Sequence, residues 1–502
     1  MKVSSNKVYV LNSCYHLRND IHRIALFSKI GVRGNTSGDW NVFIHPLQAA
    51  MLSFFTYNRR LDNNLRLLSN FFNRDMAYMR KMIDSYINND VPVYTTWKGQ
   101  NIFFPKNVLV ELGSIEHEYH FRHLSSDSFV CRNLDLTSRR FYSGPLILTL
   151  MLNNKCVTHC IYCYADTKTS LKQPLSTSRI LELIHEASKL QVQQVNLIGG
   201  EIFLHPDWDI ILKELVERDI APEYISTKIP FTNDLLKRLK DTGYNNLIQV
   251  SLDACDDNVL QEMLGVKNAY CGKVLRGLQA LDQSGLRYQV SSVFTAHNSD
   301  RQLWNDLFCF LSTLEHLENW RIVPVNMSIN IDYQDFVSLK PAKATIEAVF
   351  DYIEESIFPL ANFPILLGRE ILENKFYTDD GGSAHFRGAA CSALNTHMFV
   401  LPDGKVTICE QLYWNPRFII GDVSYQSLIE VWNSPRSLFL SNLKQENIQQ
   451  KSYCKTCSIF EQCYNSHNRC WSNIIKAYGD VNWDYPDPRC CFAPEVKNSI
   501  EY

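Results

Sequence analysis

No run of the chain approaches the ~20 consecutive apolar residues that span a bilayer. The opening stretch MKVSSNKVYVLNSCYHL holds no apolar h-region followed by a small-residue cleavage site. A transmembrane or exported protein is therefore not expected, and the expected compartment is the cytoplasm. Charge of one sign is also missing: 50 Lys and Arg against 53 Asp and Glu leave a formal net charge of −3. That balance gives no electrostatic footing for a nucleic-acid or membrane partner. Internal repeats and low-complexity tracts are absent, which sets aside solenoid and linker-dominated architectures. What is there is ordinary globular composition, 45% hydrophobic and 21% charged over 502 residues. Such a chain can form about two to four domains with a large buried core.

Cysteine breaks this ordinary picture. The sequence holds 16 cysteines, three of them inside residues 156–163 and eight more after residue 390. Disulfide frameworks belong to small exported chains short of apolar core, and this chain fits neither description. Clustered thiols in a reducing compartment point to metal instead. Cys14, Cys131, Cys255, Cys271 and Cys309 fit no ligand spacing and read as small buried hydrophobes.

Residues 1 to about 35 carry no clean pattern. Residues 43–104 read as a small helical unit with a wing. FIHPLQAAMLSFF, LDNNLRLLSNFF and DMAYMRKMIDSYI repeat apolar residues at helical spacing, and VPVYTTWKGQNIFFP reads as two strands around a Lys98–Gly99 turn. Three helices and then a hairpin is the order of a winged helix-turn-helix. Between residues 146 and 370 the runs LILTLML, VQQVNLI, EYIST, NLIQVSL, YQVSSVF and RIVPVNM alternate with amphipathic segments such as STSRILELIHEASKL. That rhythm predicts about six βα units in a partial (β/α)6 TIM-like barrel, with its active site at the C-terminal strand ends. Residues 385–502 are loop-rich and cysteine-rich, and are expected to fold around metal rather than an apolar core. The expected class is α/β, with domains at 1–110, 146–370 and 385–502 and a bridging segment at 111–145.

CVTHCIYC follows the first predicted strand, which sets Cys156, Cys160 and Cys163 in a loop at the expected catalytic mouth. A [4Fe–4S] cluster normally takes four thiolates, so three leave one iron open to a ligand. A structural zinc site is the plainer reading, although paired C-x2-C knuckles are more usual there than this spacing. With Tyr162 just ahead of the third cysteine, the motif resembles the radical S-adenosylmethionine (SAM) superfamily. The resemblance implies that the amino and carboxylate groups of SAM chelate the open iron. One electron then cleaves SAM to a 5′-deoxyadenosyl radical that abstracts hydrogen from a substrate. An external one-electron donor of flavodoxin or ferredoxin type is implied with it.

Later strand ends carry further candidates. Gly199, Gly200 and Glu201 follow the second predicted strand, where glycines let backbone approach a ligand and Glu201 offers an acceptor for an ammonium group. Ser226 and Lys228 end the third strand, Ser251 and Asp253 the fourth. Each alone reads as ordinary strand-end capping. In this order, with Tyr162, they resemble the family's cofactor-binding residues.

The closing region runs Cys391-x12-Gly404-x4-Cys409, then Cys454-x2-Cys457-x5-Cys463-x6-Cys470, then Cys490-Cys491. It resembles the SPASM extension, which carries one or two auxiliary [4Fe–4S] clusters. The resemblance implies a first ligand set of Cys391, Cys409 and Cys470, and a second of Cys454, Cys457, Cys463 and Cys490 or Cys491. The first set lacks a fourth ligand, leaving Cys491, a non-cysteine group or an open iron as the options. One interval departs from the family: six residues stand before Cys470 where the pattern has three. One or two zinc sites would also use C-x2-C spacing. Glu410 follows Cys409, and an acidic residue at this place acts as a base in sulfatase-maturing relatives; a solvated surface glutamate is the alternative.

The third helical stretch sets Arg80 and Lys81 against Asp75, Asp84 and Asp90, which is not a phosphate-binding face. The N-terminal unit resembles instead the recognition element of enzymes that modify ribosomally made peptides, where a leader adds as a strand along the wing. The expected function is a radical SAM maturase that grips a precursor peptide and makes a cross-link or similar change, with no nucleic acid and no membrane as partner. Two other readings stay open. One is an anaerobic sulfatase-maturing enzyme that oxidises a protein Cys or Ser. The other is a non-enzymatic iron–sulfur or zinc sensor with a DNA-binding wing.

Overall fold

The computed structural model describes residues 3–28, 41–97, 100–115, 119–131, 133–171, 173–371, 388, 391–466 and 469–496. They fall into two units, Met1–Gly144 and Pro145–Tyr502. The first unit begins with β1 (Tyr9–Leu11), β2 (Tyr15–Asn19), β3 (Ile24–Ser28) and β4 (Asn41–Ile44). β2, β3 and β4 form an antiparallel meander, with Leu17 opposite Leu26 and Ala25 opposite Phe43. All five residues of β3 are buried, so this strand has no inside–outside alternation to read in the sequence. Arg23 is buried beside it, paired with Asp20 at 2.9 Å and stacked 3.2 Å over the Phe43 ring.

Three helices follow, α1 (Pro46–Ser53), α2 (Leu61–Phe72) and α3 (Met76–Asp84), over the stretches whose spacing predicts them. The His45 ring caps α1, and Pro46 occupies the first turn, where its missing N–H is no loss. α2 buries Leu61, Leu65 and Leu68 on one stripe; α3 buries Met79 and Ile83 and starts on Asp75, which accepts from Tyr78 N. β5 (Val93–Trp97) and β6 (Gln100–Phe104) form an antiparallel hairpin. Its Lys98–Gly99 turn lies outside the described residues. β7 (Leu109–Glu111) then pairs back with β1.

The second unit alternates β8 (Ile147–Met151), α4 (Thr177–Lys189), β9 (Gln194–Ile198), α5 (Trp208–Glu217), β10 (Tyr224–Thr227), α6 (Asn233–Asp241) and β11 (Leu247–Ser251). Helices α7 (Asp257–Leu264) and α8 (Tyr270–Asp282) lead to β12 (Tyr288–Phe294), α9 (Arg301–Leu311) and β13 (Leu317–Pro324). The six apolar runs of the sequence are β8 to β13. α10 (Tyr333–Leu339) and α11 (Lys343–Tyr352) precede a further short strand, β14 (Ile365–Leu367). β10 to β14 make one parallel sheet in chain order. β8 and β9 are parallel neighbours in a second sheet, and β15 (His397–Val400) runs parallel to β8 on its other side. β16 (Lys405–Thr407) and β17 (Ile419–Asp422) extend that sheet antiparallel.

Residues 385–502, expected to fold around metal rather than an apolar core, also build an apolar core. Besides β15–β17 the region holds α12 (Leu428–Trp432), α13 (Pro435–Ser441), α14 (Phe460–Ser466) and α15 (Trp471–Tyr478). Phe418, Leu428, Val431 and Trp432 are wholly buried among them. Elements of three to eight residues are too short to print a hydrophobic period. No helix among the described residues is long and apolar enough to cross a membrane.

Candidate functional site

The loop leaving β8 carries Cys156, Cys160 and Cys163. The Thr158 hydroxyl stands between two of them, 3.4 Å from Cys156 Sγ and 3.2 Å from Cys160 Sγ, and Cys163 N donates to Cys160 O at 3.1 Å. The loop is pinned from outside by His159 N and Ile161 N, which donate to Leu264 O and Met263 O at the end of α7. Burial pushes the Cys160 thiol up, against the pull of Lys228, and pushes Cys163 up to about 11. Metal binding would displace those protons.

Gly199 and Gly200 do allow a close approach, but what approaches is the cysteine loop itself. A Cβ on Gly200 would lie 2.1 Å from Lys155 O, and one on Gly199 would lie 2.9 Å from Asn153 O. Gly200 N donates to Asn153 O at 2.9 Å and Glu201 N to Lys155 O at 2.7 Å. Glu201 is buried, and its carboxylate accepts from Thr227 Oγ1 at 2.8 Å and Lys228 N at 3.1 Å. Burial raises its pKa and these bonds oppose the rise.

Lys228 Nζ lies 3.0 Å from Asp253 Oδ2, an oxygen that also accepts from the Tyr162 hydroxyl. Burial pulls the Lys228 ammonium down, yet Asp253 beside it prevails and holds it above its ordinary value. Asp253 Oδ1 takes Val293 N at 2.8 Å, and the Tyr270 hydroxyl donates to Lys228 O at 2.5 Å. Tyr162, Glu201, Lys228 and Asp253 are thus joined in one network through Lys228, whose backbone N meets Glu201 and whose Nζ meets Asp253. Ser251 ends β11 beside Ser291, and Ser226 accepts instead from Gln249 Nε2 at 3.1 Å. That bond begins a ladder the sequence reading missed: Gln289 donates to Gln249 at 2.7 Å and Asn319 to Gln289 at 3.2 Å. Its signal was present, since polar residues inside apolar parallel strands are unusual.

The eight C-terminal cysteines divide. Cys391, Cys409 and Cys470 lie within electrostatic range of one another. Cys454, Cys457, Cys463 and Cys490 line one cavity, together with Arg469 and Asp487. Cys491 is exposed and does not line that cavity. Glu410 sits beside Tyr164 and Tyr413, and burial raises its carboxyl. Tyr413 is buried at φ +28°, and its hydroxyl has no partner among the described residues. Of the five cysteines outside any ligand spacing, Cys271 is buried, Cys14, Cys131 and Cys255 are half-buried, and Cys309 is exposed.

Residues 150–306 match the model of the Radical SAM superfamily, and residues 391–458 match that of SPASM, an iron–sulfur cluster-binding domain. The chain is a radical SAM enzyme with a SPASM domain. It is 23% identical over 354 residues to mycofactocin maturase MftC of Mycobacterium tuberculosis, a match covering 70% of this chain and 84% of that one. It is 23% identical to PqqA peptide cyclase of Methylocella silvestris, covering 70% and 89% of the two chains. In fold it resembles Streptococcus suis SuiB, solved with its precursor peptide SuiA, with a TM-score of 0.59 at 14% identity over 96% of this chain and 99% of that one.

The donor sets suit the groups that a radical SAM enzyme holds. Three thiols in one loop fit a cluster with an open iron, and four thiols around one cavity fit a closed one. Among the described residues no three His, Cys, Asp or Glu side chains are set for a single metal ion, the arrangement a one-zinc site would need.

Proposed function

We propose that this radical SAM enzyme is a maturase of a ribosomally made peptide, forming a cross-link or a similar change at a side chain or α-carbon. The observation that carries the reading is the hydrogen-bonded network of Tyr162, Glu201, Lys228 and Asp253 beside the cysteine loop. A [4Fe–4S] cluster on Cys156, Cys160 and Cys163, with SAM, supplies a carbon radical able to take hydrogen from an unactivated position. The chain's own residues position and shield that chemistry. Glu201, with Gly199 and Gly200 holding the loop against it, presents a carboxylate to an ammonium; Ser226, Lys228, Ser251 and Asp253 offer polar groups to the remainder of SAM. Glu410 is the candidate base on the substrate side, where burial raises its carboxyl and so strengthens it as a base.

In this reading residues 146–370 form a partial (β/α)6 barrel and residues 385–502 the auxiliary-cluster domain. Residues 1–110 are a winged-helix unit that takes the leader as an added strand along β5–β6, and 111–145 bridges the two. Cys391, Cys409 and Cys470 hold one auxiliary centre, and Cys454, Cys457, Cys463 and Cys490 the other. An external flavodoxin- or ferredoxin-like donor supplies the electron, in a cytoplasm that keeps the thiols reduced. The names of the maturase relatives and of the SuiB complex support a peptide substrate. Anaerobic protein given dithionite and SAM should release 5′-deoxyadenosine, and a short peptide encoded beside the gene should lose a pair of hydrogens by mass. Uncleaved SAM at full iron content would refute the reading.

A further inference from the structure

The interval that departs from the family pattern ends in an arginine. Six residues separate Cys463 from Cys470, and the last is Arg469. Its side chain lines the cavity formed by Cys454, Cys457, Cys463 and Cys490, within electrostatic range of Cys454 and Cys463. One end of the guanidinium is anchored: Nη2 donates to Tyr485 O at 2.7 Å and more weakly to Asp484 O at 3.4 Å. Nε and Nη1 are buried and donate to nothing among the described residues.

Buried donors in native proteins are nearly always paired, so two orphans on one cation demand an acceptor. The acidic residue of the cavity does not supply it. Asp487 is held by Arg489 on both oxygens at 2.7 Å and also accepts Cys470 N at 2.9 Å. What remains around the cavity is sulfur. A guanidinium is charged at every pH the protein meets and fans its donors in a plane. It can bond two sulfurs at once and needs no proton to do so.

We propose that Arg469 donates through Nε and Nη1 to the sulfurs of the iron–sulfur centre held by Cys454, Cys457, Cys463 and Cys490, and raises that centre's reduction potential. The inference rests on the reading that this set holds a [4Fe–4S] centre. A cube with four thiolates is already anionic and gains one more negative charge when it takes an electron. A fixed cation in a water-poor site favours that reduced form, and N–H bonds to sulfur act in the same direction. The centre is thereby tuned to accept the electron left on the substrate after hydrogen abstraction. The proton lost with that electron leaves on the substrate side, where Glu410 is the candidate base, because Arg469 has no site to take it.

The test uses full-length protein reconstituted anaerobically, with Cys156, Cys160 and Cys163 changed to Ala so that only auxiliary centres give EPR signals. In this background R469Q should keep its iron and sulfide, while the reduction equilibrium of one centre shifts at least tenfold toward the oxidised form. A tenfold shift is about 59 mV for one electron. R469K, which keeps the charge and loses the planar fork, should shift less. The affected centre is identified as the one that vanishes when Cys454 and Cys457 become Ala. An unchanged midpoint in R469Q at full iron content overturns the proposal. So does loss of the centre in both arginine variants, which would make Arg469 a folding residue alone. If Cys454→Ala with Cys457→Ala leaves the iron content untouched, the reading beneath the proposal fails and takes it down.

Discussion

Replacing Gly200 with Ala tests how the cysteine loop is held. The new Cβ would stand 2.1 Å from Lys155 O, 2.4 Å from Lys155 C and 2.9 Å from Asn154 C. All three are backbone atoms, so no side chain can swing aside. Lys155 O must retreat by about 0.9 Å merely to reach 3.0 Å, the shortest separation real Cβ atoms show. That retreat strains two bonds, Gly200 N to Asn153 O at 2.9 Å and Glu201 N to Lys155 O at 2.7 Å. Each is worth about 0.5–1.5 kcal/mol net, and overpacking adds about 1–3 kcal/mol. A loss of about 3–5 kcal/mol is expected, concentrated on the residue next to Cys156. Gly285→Ala is the control: φ is +76° there, but nothing lies within 4 Å of the added Cβ. It should cost only about 1 kcal/mol of backbone strain. The assay is iron per chain after anaerobic reconstitution, 5′-deoxyadenosine release, and the urea midpoint. If G200A loads iron and cleaves SAM as the parent does, the account of this glycine is wrong.

Further outcomes follow from the same network. Lys228→Met leaves Asp253, whose side chain is 0% exposed, without its cation; the expected loss is about 3–5 kcal/mol in denaturant unfolding. Pairing it with Asp253→Asn should recover a good part. Burial pulls His397 down to about 3, below the ~6.5 of an unfolded chain. Its contribution is therefore intact above pH ~6.5 and declines as the pH falls, because the unfolded state takes the proton first. The slope is up to about 1.4 kcal/mol per pH unit, and His397→Gln should flatten the fall of urea midpoints across that window. Cys490→Ser should lose the iron of one auxiliary centre while Cys491→Ser keeps it; equal loss in both would show that the exposed cysteine is a ligand.

The parallel strands were legible because both faces of such a sheet are covered, and LILTLML then reads as a nearly continuous apolar run. The same physics hid β3, since IALFS is too short and too fully buried to show a period. The C-terminal strands and helices were masked by their length, and the buried Trp432 gave no hint of a core until its neighbours were assembled. At the site, cysteine spacing marks out three clusters of thiols, but spacing says nothing about direction. Gly200 was expected to admit a ligand, and it admits Lys155. Arg469 looked like one residue of an oversized interval; only the cavity shows which way its guanidinium is aimed.

The pairing of β15 with β8 bears on how the polypeptide is made. Thr149 and His397, which meet side by side at 2.7 Å, are 248 positions apart. A ribosome therefore delivers the strand that feeds the cysteine loop long before the strand that flanks it. Until synthesis has passed residue 400, one margin of β8 has no neighbour from this sheet, an open template for mispairing. Iron loading at Cys156, Cys160 and Cys163 should accordingly be a late event, and a chain cut near residue 390 should aggregate rather than persist as a smaller working enzyme.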